Sequence, residues 1–202
     1  RLGFNGKTIN ISNNTMFLVS KSSVDITQTN NSTYTRSFTS IAGNMYHNHI
    51  FGFYKNRFWF EDEDGTSVTY YHDLSSEQYM SGFIHQVDFT ESGVEAFVNG
   101  IKKHSDSTTY QGFDIDRVGM GYAGRTFRGS SMEFIIIDRI ISDEERAAIT
   151  SYLANKWGLE AQIDSDGDGV VDSEDLYPNN PNVSSGYVDV DYSGKPSILQ
   201  DP

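Results

Sequence analysis

Residues 164–175 read Asp-Ser-Asp-Gly-Asp-Gly-Val-Val-Asp-Ser-Glu-Asp. Counted from Asp164, carboxylates fall at positions 1, 3, 5, 9 and 12 and a glycine at position 6. That is the ligand spacing of a calcium loop. Calcium takes ~6–8 hard oxygen ligands. Alternate side chains must therefore converge on one point, while Gly169 permits the tight bend and the carbonyl of Val170 adds an oxygen. The expected ligands are Asp164, Asp166, Asp168, Val170, Asp172 and Asp175, and the expected cofactor is Ca2+. Asp175 is shorter than the glutamate usual at the last position, so fewer oxygens and weaker binding are expected from it. The competing reading is an acidic solvated linker, because like charges repel and stay extended. A random acidic run would not place glycine at the bend and an acid at every side-chain ligand position.

Other segments carry weaker chemistry. Tyr122, Arg125 and Arg128, in and after a glycine-rich stretch, offer guanidinium forks for a carboxylate and an aromatic face for a sugar. The plain alternative is a strand connection with solvated arginines. Tyr70 and Tyr71 point to opposite faces of a strand, so one enters the core and Tyr71 is a candidate ligand platform. Gly119, Gly121 and Gly124 match a dinucleotide fingerprint, but a further strand follows where that motif requires a helix. Glu61 to Asp64 lacks the ordered carboxylate pattern of sandwich glycosidases and reads as a solvated turn. His47 and His49 have no acidic partner pattern around them, and no serine sits in a nucleophile elbow.

The elements that must position these residues are mostly strands. The 202 residues include 13 Phe, 12 Tyr and 2 Trp, in short β-prone runs separated by Gly, Asn, Asp and Ser. Strands are predicted at 7–11, 15–20, 37–41, 49–54, 57–61, 66–72, 82–89, 94–98, 101–104, 115–121 and 132–138. Their density fits two antiparallel sheets packed face to face. Asn99-Gly100 should form a type I′ hairpin turn, and Asp64-Gly65 a similar one. One helix is predicted from Asp143 to about Trp157, opened by a Ser142/Glu145 capping box and closed by Gly158. Ile149, Tyr152, Leu153 and Trp157 would cover a sheet.

The formal charge of −13 argues against nucleic acid or an anionic membrane as partner. It is unevenly spread: from Glu160 onward ten acids face one base, while residues 1–159 hold 18 acids and 14 bases. There is no cysteine, which removes disulfides, zinc thiolates and cysteine nucleophiles. No run approaches the ~20 apolar residues of a membrane span. The chain opens on Arg1-Leu2-Gly3-Phe4 and reads as one module of a longer protein.

Residues 164–181, ending Leu176-Tyr177-Pro178-Asn179-Asn180-Pro181, resemble a thrombospondin type 3 calcium-binding repeat of large secreted bacterial proteins. The resemblance implies a calcium-organised connector. The run from His85 to Thr90, Gly93 to Gly100, and Met132 to Leu159 with its helix resemble laminin-G-like, concanavalin A-like sandwich domains. The expected fold is therefore all-β: an antiparallel jelly-roll sandwich over 1–159, a calcium repeat over 160–183, and a linker or next domain over 184–202. The resemblance implies a secreted or cell-surface, non-catalytic adhesion module of a bacterial adhesin or secreted enzyme. Its expected partner is a glycan or peptide on another cell or an extracellular polymer. Two alternatives stay open: a polysaccharide lyase or glycoside hydrolase on the same fold, and a ligand-free spacer.

Overall fold

In the computed structural model, the described residues are 2–3, 9–23, 35–36, 38–39, 52–54, 57–61, 67–71, 73–90, 92–108, 113–115, 117–118 and 129–183. In chain order the strands begin β1 (Leu2–Gly3), β2 (Ile9–Ile11), β3 (Asn14–Ser22), β4 (Thr35–Arg36), β5 (Phe38–Thr39), β6 (Gly52–Tyr54), β7 (Arg57–Glu61) and β8 (Ser67–Tyr71). After helix α1 (Ser76–Ser81) come β9 (Phe83–Thr90), β10 (Gly93–Val98), β11 (Ile101–Asp106), β12 (Phe113–Ile115), β13 (Arg117–Val118), β14 (Gly129–Ile137) and helix α2 (Asp143–Trp157).

The sheet that carries the architecture is antiparallel, in the order β11-β10-β9-β3-β14. A second antiparallel sheet runs β4-β6-β7-β8, and two smaller ones run β1-β13-β5 and β12-β2. The period of two in β9 divides its side chains between two cores. Phe83, Val87 and Phe89 join Met16, Leu18, Val94, Ala96 and Val98 against Phe58 and Tyr70 of the second sheet. Ile84 points the other way and joins Phe17, Val19, Leu153, Ala154, Leu159 and Ile163. The central sheet is therefore covered by a sheet on one face and by α2 with the segment after it on the other.

His85 is buried among aromatics, stacked on Phe58 at 3.6 Å between ring centroids and hydrogen-bonded to the Tyr70 hydroxyl. Burial raises the Tyr70 pKa well above its ordinary value. Tyr71, its neighbour in β8, is 49% exposed, so the two tyrosines do face apart.

Helix α2 has the predicted start and stop. Ser142 and Glu145 form the reciprocal capping box, and Gly158 adopts φ 68°. Its buried stripe differs from the prediction in one place. Arg146, Ala147, Thr150, Leu153 and Ala154 face the sheet, whereas Tyr152 is 56% exposed. Tyr152 lies one residue, or about 100° of helical rotation, from Leu153 and so falls off the apolar face. Helix α1 was not predicted. It has its own capping box from Ser75 and Gln78, and it buries Tyr79 against Phe83 at 5.1 Å.

A buried ion pair fastens α2 to the sheet. Asp88 accepts from Arg146 Nη2 at 2.9 Å, from Thr15 Oγ1 at 2.8 Å and from Gln86 Nε2 at 3.0 Å. The guanidinium of Arg146 also lies 4.0 Å over the Phe97 ring.

Candidate metal centre

The Asn99-Gly100 turn joins β10 to β11, with φ 53° and 84° as a type I′ turn requires. Asn99 is buried and ties the turn inward. Its amide donates to the Ile84 carbonyl, and its Oδ1 accepts from the Ile84 amide, both at 2.9 Å. Its carbonyl then accepts from the Asp164 amide at 3.2 Å. The first residue of the acidic loop thus continues the hydrogen bonding of the hairpin. Asp164 is only 6% exposed, and Ile163 beside it is fully buried in the core under α2.

From this anchor the loop folds on its own side chains. Asp164 takes the Gly167 amide on Oδ1 at 2.7 Å and the Gly169 amide on Oδ2 at 2.9 Å. Asp166 Oδ1 accepts from the Asp168 amide at 3.2 Å, and Asp168 Oδ1 from the Val170 amide at 2.9 Å. Gly167 and Gly169 supply the bends with φ 79° and 100°.

The result brings one carboxylate oxygen from each of Asp164, Asp166 and Asp168 within 4.8 Å of one another. Asp172 faces a different neighbour: its oxygens accept from the amide and hydroxyl of Ser165 at 2.8 and 2.6 Å. Asp175 Oδ1 accepts from the Tyr177 amide at 2.9 Å.

The donor set suits a hard cation. Asp166 Oδ2, Asp168 Oδ2 and Asp175 Oδ2 are buried with no hydrogen-bond partner among the described residues. Leaving ionised oxygens buried and unmatched is costly unless a cation meets them. Oxygens that already accept one N–H keep a second lone pair for a metal. Burial first, then the charges of Asp168 and Asp164, raises the Asp166 pKa; burial first, then Asp164 and Asp175, raises that of Asp172. These carboxylates are held together against their own repulsion.

Of the other candidates, Tyr122, Arg125 and Arg128 lie outside the described residues, as do Gly119, Gly121, Gly124, His47, His49 and the Asp64-Gly65 turn. Spacing gave no sign of Arg146 as a buried residue or of Gly100 as a contact for the loop. The Asn-Gly signal marked the turn but not what it touches.

No protein-family model matches the sequence, and no curated protein does. Solved structures match it in shape. The carbohydrate-binding module (CBM40) of the Ruminococcus gnavus IT-sialidase, solved with α2,3-sialyllactose, is similar with a TM-score of 0.52 and 14% identity, over 69% of this chain and 83% of that one. The fold is a jelly-roll sandwich. The receptor-binding domain of botulinum neurotoxin mosaic serotype C/D is similar with a TM-score of 0.50 and 14% identity, over 72% of this chain and 39% of that one. Domain 4 of AbnA, an extracellular arabinanase from Geobacillus stearothermophilus, shares 15% identity with a TM-score of 0.47, and the chain spans 64% of it. Among the described residues no helix is long and apolar enough to cross a membrane.

Proposed function

We propose that this chain is a non-catalytic, glycan-binding module of an extracellular protein, with one calcium ion held by the loop after helix α2. The observation that carries the metal half is the gathering of Asp164, Asp166 and Asp168 within 4.8 Å, beside buried carboxylate oxygens without partners among the described residues. Asp175 and the Val170 carbonyl complete the proposed oxygen set, and Asp172 joins it or orients the loop through Ser165. When bound, the ion supplies positive charge to a cluster that otherwise repels itself. The chain's own residues do the rest: Asn99 and Ile163 hold the loop on the sandwich, so the ion organises a part of the domain.

Support for glycan recognition comes from the fold and from the sialyllactose carried by a structure of the same shape. A glycan and peptide array probed with the whole chain, with calcium and with chelator, tests it. Glycan binding without product release supports the module, product release supports a lyase or hydrolase, and silence supports a spacer. Replacing Asp166 and Asp168 by alanine should remove the calcium heat in titration calorimetry; unchanged heat rejects the metal assignment.

A further inference from the structure

The Asn99-Gly100 pair that makes the β10–β11 turn is also a chemically reactive pair. Glycine has no Cβ, so nothing shields its main-chain nitrogen from the side chain before it. Hydroxide takes the proton of the glycine amide, and the nitrogen attacks Cγ of the asparagine. A C–N bond forms, the Cγ–Nδ2 bond breaks, and Nδ2 leaves as ammonia with a proton from water. A second water opens the five-membered imide, giving aspartate, or isoaspartate with the main chain running through Cγ. Water is the only co-reactant.

Ring closure needs two motions. The Asn99 carboxamide must turn toward Gly100, and the backbone between them must rotate. The fold restrains both. The carboxamide is buried, with Oδ1 accepting from the Ile84 amide at 2.9 Å and Nδ2 donating to the Gln162 carbonyl at 3.4 Å. The Asn99 carbonyl accepts from the Asp164 amide at 3.2 Å. The Asp164 carbonyl oxygen lies so close to Gly100 that a Cβ there would fall 1.5 Å from it. Half of these restraints therefore come from residues 162–164, which follow α2 and are anchored by Ile163 in the core beneath it.

We propose that Asn99 is a deamidation site controlled by the seating of residues 162–164, closed while that segment is in place and reactive when it lifts. The change runs one way. Either product puts a carboxylate oxygen where the Nδ2 donor stood, facing the Gln162 carbonyl, and leaves a charge at a buried position beside Asp164. Two acceptors with no donor between them disfavour reseating. Isoaspartate also adds a main-chain atom to a turn that the Asp164 backbone crowds. The proposal goes beyond the metal and glycan readings and needs neither.

Peptide mapping of the whole chain, held in mildly alkaline buffer well below its unfolding temperature, follows aspartate and isoaspartate at position 99. A peptide of residues 95–104 gives the unrestrained rate. The chain should react at least about tenfold more slowly than the peptide, because reaction waits on local opening. Ile163→Val, which trims the anchor, should raise the chain's rate about threefold. Ile141→Val, the same change in the same core cluster but ahead of α2, should leave it unchanged. Asn99→Asp, the product itself, should speed hydrogen exchange of the Asp164 amide about tenfold. A chain that reacts as fast as the peptide, or equal rates in the two valine variants, would overturn control by this segment. Unchanged exchange at Asp164 in Asn99→Asp would overturn the one-way change.

Discussion

A Cβ built on Gly100 would fall 1.5 Å from the carbonyl oxygen of Asp164. The tip of the β10–β11 hairpin and the first residue of the acidic loop therefore meet backbone to backbone, and only glycine at 100 allows it. The Asn99 carbonyl, accepting from the Asp164 amide, sits at the same junction. This contact joins the acidic loop to a hairpin of the central sheet.

Gly100→Ala should be among the most damaging single changes in the domain. Positive φ alone costs an alanine about 1–2 kcal/mol, and here the new methyl also meets backbone, which cannot swing aside. The expected loss is at least about 2 kcal/mol, together with weaker calcium binding. Gly158→Ala is the control: it shares a positive φ of 68° but has nothing within 4 Å of its Cβ. Urea unfolding of both variants, with and without calcium, measures the difference. Equal losses would mean that the Gly100–Asp164 approach does not constrain the fold.

The Arg146–Asp88 pair should behave as a buried charge pair. Arg146→Met leaves Asp88 charged and almost fully buried, with an expected cost of about 3–5 kcal/mol. Adding Asp88→Asn should return a large part of that loss, because the stranded charge is gone. A double-mutant cycle by thermal or urea denaturation checks this. Additive losses would show that the two residues do not act as a pair.

Much of this was legible in the chain. The Asn99-Gly100 turn, the Ser142/Glu145 cap and Gly158 depend on neighbours in sequence, and their residue types encode the geometry directly. The calcium spacing is local in the same sense. What spacing cannot encode is contact at a distance: Gly100 meets Asp164, and Asp88 meets Arg146. An arginine in a helix ordinarily reads as surface; here Asp88, on the face of β9 that α2 covers, and the Phe97 ring hold Arg146 inward. Helix α1 carried a readable signal in Ser75 and Gln78, but its six residues are too short for a hydrophobic period to mark.

Proton competition should govern calcium affinity. Burial and neighbouring carboxylates raise the pKa values of Asp166 and Asp172 in the folded, metal-free protein. A carboxylate with a raised folded pKa favours the fold below its unfolded pKa, and that benefit disappears as pH rises through the folded value. The metal-free loop is thus least comfortable near neutral pH, where a bound calcium would relieve it. Calcium affinity should fall as pH drops from neutral through the acid range, with protons released on binding. Calorimetry in buffers of different ionisation heat detects that release; affinity independent of pH across this range would contradict it.

At the start of α2, Glu145 has its pKa lowered to about 2, chiefly by the Arg139 guanidinium, which donates to it at 2.6 and 2.8 Å, and next by the Ser142 amide. A depressed carboxylate stabilises the fold above its unfolded pKa and loses that contribution as pH falls through the folded value. Carboxyl NMR should show Glu145 titrating near 2 in the parent and closer to an ordinary glutamate in Arg139→Ala. An unmoved midpoint would remove Arg139 as the cause.

The central claim, that a calcium loop is built into the sandwich, is tested most directly by scanning calorimetry of the whole chain over a calcium series. A bound ion at ten times its dissociation constant should add about 1.4 kcal/mol. The unfolding transition of the sandwich should therefore rise with calcium and stop rising in an Asp166→Asn/Asp168→Asn variant. A transition indifferent to millimolar calcium, or one that rises equally in the variant, would contradict the account.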